Sequence, residues 1–183
     1  LGICGGRANL IEEKGFKFDT GPSFILMPSF FEELFSSCNK KLEDFLDFIP
    51  LDVSYKIFYP DSTTLTIYKD SDKTKQELEK IEKGSAASYD KFLKETEKIY
   101  EATKPLLYKC FKPTDLVDPS YWGLLFKLHA YQSYWQLAKE FFKSDKLCNV
   151  FTFEAMFIGV SPYDAPAFYS MITYADHAHK IYH

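Results

Sequence analysis

Cys4-Gly5-Gly6-Arg7-Ala8-Asn9-Leu10-Ile11-Glu12-Glu13-Lys14-Gly15-Phe16-Lys17-Phe18-Asp19-Thr20-Gly21-Pro22-Ser23-Phe24-Ile25-Leu26-Met27-Pro28 is the stretch around which the rest of the chain is organised. Adjacent glycines allow backbone angles closed to other residues and let a ligand approach the chain. Arg7 follows them with a planar fork of donors suited to phosphate. Leu10 and Ile11, a turn at Lys14-Gly15, then Phe16 and Phe18 read as a short hairpin. Gly21-Pro22 forms a second corner beside the first. The residues themselves leave two readings open: ordinary turns between strands, or one phosphate-contacting corner.

Composition narrows the class. The 183 residues suffice for one large domain or a piece of a larger protein. A start at Leu1 and an end at Ile-Tyr-His suggest an internal fragment. With 18 Phe, 13 Tyr and 2 Trp, the chain calls for large apolar contacts in a core, against an apolar ligand or at a lipid surface. A net charge of −4 and the lack of a basic block argue against nucleic acid as a partner. Cys4, Cys38, Cys110 and Cys148 share no short spacing, so neither a zinc knuckle nor a disulfide framework is expected, and a reducing cytoplasm is the default. No apolar run reaches the roughly 20 residues of a membrane-spanning helix, which leaves peripheral contact open.

Along the chain, Ser29 with Glu32 predicts a capped helix to Asn39, and Lys41–Phe48 a second short one. Val53, Tyr55 and Ile57 alternate as a half-buried strand, with Leu65 and Ile67 in its partner across the Pro60-Asp61-Ser62 turn. A charged helix from Lys73 to Glu82 ends at Gly84, read as its C-cap. Ser85 then caps a helix whose Tyr89, Phe92, Leu93, Thr96, Ile99, Tyr100 and Thr103 form one face. Tyr121–Phe142 crowds aromatic residues among charges and reads either as an interfacial membrane segment or as a packed pair of core helices. Lys146–Gly159 predicts a helix apolar on most sides, and Asp164 with Pro166 opens the last one. His177-Ala-His179 with Asp176 and His183 reads as a solvated terminus rather than a metal cluster, because i, i+2 pairs do not share a helix face. His129 reads as a satisfied structural group, and the scattered carboxylates present no acid/base pair.

Gly5-Gly6-Arg7-Ala8, then Gly15-Phe16-x-Phe18-Asp19-x-Gly21-Pro22, Met27-Pro28 and Phe31-Glu32-x-Leu34-Phe35 together resemble the bacterial-type phytoene desaturases, FAD-dependent carotenoid desaturases of the amine-oxidase-like flavoprotein superfamily. The resemblance resumes at Asp145-Lys-Leu147, Phe151-Thr-Phe153 and Gly159-Val-Ser-Pro162-Tyr-Asp-Ala-Pro166-Ala-x-Tyr169-Ser170. It implies an α+β fragment of a two-domain, Rossmann-like FAD-binding flavoprotein. Residues 1–28 belong to the FAD-binding domain; 29–183 form the helical substrate-binding and membrane-contact portion, with a small sheet near 51–69. Gly5, Gly6 and Arg7 are expected along the FAD phosphates and Gly21 and Pro22 towards the flavin. Phe153, Phe157, Tyr163 and Tyr169 are expected along a tunnel for a hydrophobic polyene. The dinucleotide-binding turn is expected upstream and a Pro-x-Gly-Gly segment downstream, so the fragment alone is expected to be inactive and to hold FAD weakly. The implied location is cytoplasmic and peripheral to a membrane. Cys148 stands where the family commonly has Arg, so no charge-stabilising role is carried over and the catalytic residues stay unassigned. Related readings are a carotenoid isomerase, a retinol-saturase-like enzyme, an amine oxidase, or a non-enzymatic lipid-binding helical module.

Overall fold

The computed structural model describes residues 6, 8–21, 25–110, 120–179 and 181–182. The chain divides into two compact units, Leu1–Leu51 with Lys180–His183, and Asp52–His179.

The first unit opens on the expected hairpin. Strands β1 (Leu10–Glu13) and β2 (Phe16–Asp19) are antiparallel, with Ile11 opposite Phe18 and Glu12 opposite Lys17. Lys14 and Gly15 both take positive φ, 53° and 83°, the pairing whose twist matches two strands joined by a two-residue turn. Thr20 closes the ladder by donating its N–H to the Asn9 carbonyl at 2.9 Å. Helix α1 covers Ser29–Ser37, but the expected capping box does not form, since Pro28 occupies the N-cap and Ser29 is already helical. The Lys41–Phe48 helix reduces to one 3₁₀ turn, Leu42–Asp44. Aromatic pairs hold this region: Phe31 packs edge-on against Phe48 at 5.4 Å and Phe35 lies 5.2 Å from Phe45. Ile25 and Tyr182 exchange both backbone hydrogen bonds, at 2.9 and 3.1 Å, so the end of the chain pairs with its early part.

In the second unit, β3 (Val53–Phe58) pairs antiparallel with β4 (Thr64–Tyr68), placing Tyr55 opposite Ile67 and Ile57 opposite Leu65. The Asp61 carboxylate at the turn takes a 2.5 Å hydrogen bond from Lys146 Nζ, which holds its pKa down at about 2. Helix α2 (Ser71–Ile81) starts two residues earlier than expected because Asp70 caps it, accepting from the N–H groups of Asp72 and Lys73. Gly84, read from sequence as a C-cap, instead stands immediately before α3 (Ser85–Thr103) at φ 85°. The Glu79 side chain accepts from the Gly84 and Ala86 N–H groups and takes over the capping. The aromatic stripe of α3 is the core face as expected: Tyr89, Phe92, Thr96, Ile99, Tyr100 and Thr103 are buried.

Helices α4 (Ser120–Lys127) and α5 (Tyr134–Phe141) follow, α5 opened by a complete Ser133–Gln136 capping box. The expected Lys146–Gly159 helix breaks into α6 (Asp145–Val150) and a 3₁₀ turn, Phe153–Ile158. Thr152, between them, turns its hydroxyl back to the Cys148 carbonyl at 2.8 Å. The last helix, α7, spans Ser170–His179 behind a 3₁₀ turn at Ala167–Tyr169, with Asp164 left in the preceding turn rather than at its cap. Leu65, Ile67, Leu78, Phe92, Ile99, Leu137, Phe142, Leu147 and Phe151 form the centre of this unit's core. Phe142 and Phe151 stack at 4.6 Å and 13°.

Candidate functional site

Three places in the structure bear on function. The first is the glycine corner of the first unit. Gly6 lies in the left-handed region at φ 57°, is exposed, and among the described residues none beyond its chain neighbours comes within 4 Å of where a Cβ would stand. Backbone so placed is open to close approach by a phosphate, which is what binding at this corner requires. Gly21 occupies a half-buried bend after β2. Gly5, Arg7 and Pro22 lie outside the described residues.

The second place is a mostly apolar groove of about 380 Å³ in the second unit, lined by Tyr55, Lys56 and Ile57 of β3, by Tyr59 just beyond it, by Asn149 and Val150 at the end of α6 and by Phe153. Strand alternation puts Tyr55 and Ile57 on one face of β3. The break after α6 brings Phe153 edge-on to Tyr55 at 4.9 Å, and Phe157 lies 5.8 Å from Phe153. Of the four residues expected along a tunnel, Phe153 and Phe157 are thus brought together. Tyr163 stacks instead near Trp135 at 4.7 Å, and Tyr169 packs beside Phe168 at 4.3 Å.

The third place is a buried polar cluster behind the groove. It holds two of the carboxylates that the sequence reading left scattered, Glu154 and Asp176. Its Asp176 and His177 contradict the reading of 176–179 as a solvated terminus. Packing of α7 on α3 turns this end of α7 inward. Tyr55 Oη lies 3.0 Å from His177 Nε2, and Tyr89 Oη lies 2.9 Å from His177 Nδ1. Burial pushes the imidazole down to about 4, so it is neutral, with one donor and one acceptor nitrogen. Glu154, fully buried, is pushed up to about 8, first by desolvation and then by the neighbouring Asp176 charge; Asp176 rises by burial to about 7. Glu154 Oε1 and Asp176 Oδ1 have no hydrogen-bond partner among the described residues.

Glu154 Oε2 accepts from Tyr134 Oη at 3.3 Å, Tyr134 Oη meets Thr173 Oγ1, and Thr173 Oγ1 lies 3.5 Å from the Phe151 carbonyl. In the sequence, the one signal for this cluster is a carboxylate inside the apolar run Phe151–Ile158.

Cys148 is buried, its thiol pushed up to about 11 by desolvation and directed at the Phe142 carbonyl 3.5 Å away. It carries no charge at neutral pH. Asp145, at the start of α6, pairs with Lys139 at 2.6 Å. His129 accepts its expected structural role, with Nε2 3.0 Å from Glu95 Oε1. Among the described residues no group of three or more His, Cys, Asp or Glu side chains could hold a metal ion.

Part of the segment Tyr121–Phe142 is the packed core that one of its two readings expected. Tyr134, Leu137, Ala138 and Phe142 are core. Trp122 and Phe126 of α4, 60% and 70% exposed, stand out with Leu125 and Tyr131 around a shallow apolar pocket of about 300 Å³. Among the described residues no helix is long and apolar enough to cross a membrane.

The second unit thus joins an apolar groove to a shielded acid–base network, an arrangement suited to a water-poor organic substrate. The chain is similar over nearly all its length to carotenoid desaturases. It is 35% identical over 183 residues to the phytoene desaturase of Phycomyces blakesleeanus, covering 98% of this chain and 31% of that protein. It is 31% identical over 185 residues to the 4,4'-diapophytoene desaturase (4,4'-diapolycopene-forming) of Methylomonas sp, covering 98% and 35% respectively. Against the zeta-carotene-forming phytoene desaturase of Myxococcus xanthus the identity is 31% over 176 residues, 94% of this chain and 34% of that protein. The chain therefore spans about a third of the length of the curated relatives it matches. No family model matches it.

Proposed function

We propose that this chain is part of an FAD-dependent oxidoreductase that desaturates an acyclic, phytoene-like carotene. The observation that carries the reading is the similarity to carotenoid desaturases across the glycine corner and the helical unit alike. A carotene offers no polar handle, so its binding free energy must come from apolar burial, at roughly 25 cal/mol per Å². The groove walled by Tyr55, Ile57, Tyr59, Val150 and Phe153 offers such a surface. In this reading residues 1–28 belong to a Rossmann-like FAD-binding domain and 29–183 to the substrate-binding portion. Gly5, Gly6 and Arg7 hold the FAD phosphates, with Gly21 and Pro22 near the flavin. When bound, the flavin supplies a hydride acceptor for an allylic carbon. The protein's part is to align the polyene, exclude water and take up the proton that leaves the neighbouring carbon. Supplying the full-length protein with FAD and phytoene in phosphatidylcholine vesicles should yield desaturated carotene; unchanged phytoene would rule the reading out. The isolated chain, lacking partner segments for the cofactor, should show no tight FAD binding by fluorescence titration, and sub-micromolar affinity would contradict this.

Substrate of this kind is delivered from lipid, and α4 is the surface that fits a peripheral location. Trp122, Leu125, Phe126 and Tyr131 present rings and an aliphatic side chain outward, with Lys127 at the helix end for anionic headgroups. Losing two such anchors costs about 3 kcal/mol of membrane affinity. The double substitution Trp122→Glu, Phe126→Glu should therefore lower partitioning of the full-length protein onto vesicles by roughly a hundredfold, as read by co-sedimentation. Equal partitioning of both proteins would remove α4 as the contact.

A further inference from the structure

The side chains behind the groove form a continuous path. Tyr55 contributes its ring to the groove wall and carries its hydroxyl inward to His177 Nε2, 3.0 Å away. His177 Nδ1 continues to Tyr89 Oη at 2.9 Å. Near Tyr89 stands Ser71, on the exposed first turn of α2, whose hydroxyl offsets part of the upward pKa shift of Tyr89. We propose that Tyr55, His177 and Tyr89 are a proton wire leading from the groove wall to the surface beside Ser71, the exit for the proton released in desaturation. This rests on the reading that a polyene is oxidised in that groove.

The wire has a consistent sense. A neutral imidazole donates from one nitrogen and accepts at the other, so Tyr55 donates to Nε2, Nδ1–H donates to Tyr89, and the Tyr89 proton points towards Ser71. The His177 ring and the Tyr89 hydroxyl each then accept once and donate once, and no two protons meet. The groups facing the wire are Glu154, Asp176 and Tyr134 around Tyr55, and Asp90 near Tyr89. Burial opposes both phenolate formation at Tyr55 and imidazolium at His177. Transfer therefore proceeds as linked hops rather than through a charged resting group.

The chemistry balances. A bound flavin would supply the two-electron oxidant, taking up the hydride from the allylic carbon, and the protein's residues would take up the proton from the adjacent C–H. That C–H bond breaks and its electron pair becomes the new C=C bond. Its proton bonds to Tyr55 Oη while the original Tyr55 proton moves to Nε2. The Nδ1 proton passes to Tyr89, and the Tyr89 proton leaves to solvent beside Ser71.

Two measurements on the FAD-loaded full-length protein test the wire. With histidine carrying a heavy nitrogen isotope, the NMR spectrum of the resting protein should show His177 neutral and protonated at Nδ1. A proton on Nε2 would overturn the proposal. In phytoene-containing phosphatidylcholine vesicles, Tyr89→Phe should lower kcat roughly tenfold or more, leave KM unchanged, and enlarge the solvent deuterium isotope effect on kcat. A wild type that desaturates phytoene, together with a Tyr89→Phe variant of equal kcat and isotope effect, would overturn the wire alone. A wild type that leaves phytoene unchanged would overturn the desaturase reading and with it the wire's cargo.

Discussion

Raising the pH from about 5 to about 8 is expected to lower the melting temperature of the full-length protein continuously, most steeply just below pH 7. The cause is the buried cluster of Glu154, Asp176 and His177. Glu154 and Asp176 ionise in the unfolded chain near 4.5 and 3.8, but only at about 8 and about 7 when folded. The folded state therefore keeps two protons that the unfolded state has lost. Their stabilisation is complete at low pH and disappears as pH rises through the folded values. His177 works in the other direction, since its folded value of about 4 lies below the unfolded 6.5 and the unfolded chain binds the extra proton between them.

The net excess on the folded side is one proton from about pH 4.5 to 6.5, two up to about 7, and one up to about 8. Each excess proton is worth about 1.4 kcal/mol per pH unit. Glu154→Gln keeps the shape and its amide oxygen can still accept from Tyr134. It should flatten the profile between about pH 5 and 6.5 and again above 7, leaving a short decline between. Thermal melts by circular dichroism across this range would check both profiles. A wild-type melting temperature that stays level would show that these carboxyls titrate normally.

Replacing Phe151 by Ala should cost about 3–5 kcal/mol of stability. Phe151 is fully buried, stacked on Phe142, and lies within 5.6 Å of the rings of Tyr89, Phe92 and His177. Its removal leaves a cavity bounded by other large rings, which cannot collapse into it without leaving their own rotamers. The urea midpoint of the full-length protein should fall with the slope of the transition unchanged. A loss below about 1 kcal/mol would mean that the aromatic cluster repacks freely. The comparison with Phe126→Ala is informative, because Phe126 is 70% exposed and its truncation should change stability by less than about 0.5 kcal/mol. The two substitutions separate an aromatic that holds the fold from one that meets the surroundings.

The features legible in the sequence are those written in short-range patterns. The Lys14-Gly15 turn announces its hairpin because two adjacent positive φ angles favour such residues. Alternation at Tyr55 and Ile57 puts these side chains on the groove side of β3, and helical spacing identifies the buried stripe of α3. Helix ends were less legible. Ser29 failed as a cap because Pro28 holds the N-cap position, and Gly84 changed sides because the Glu79 carboxylate reaches the Gly84 and Ala86 N–H groups. The single helix expected over Lys146–Gly159 broke where Thr152 bonds back to Cys148.

For this protein the sequence alone determined the hairpin, the amphipathic faces and the kinship with carotenoid desaturases, because each resides in neighbouring residues and their order. Only the tertiary structure decided that Tyr55, Tyr89, Tyr134, Glu154, Asp176 and His177 share one buried cluster, that Trp122 and Phe126 face outward while Tyr134 faces in, and that Cys148 is shielded. Tyr55 and His177 are 122 positions apart in the chain. A periodicity reports which face of an element a residue occupies, but the choice of what that face meets is made by packing. A histidine near a chain end therefore reads as solvated until α7 is seen against α3, where burial changes its charge and its chemistry.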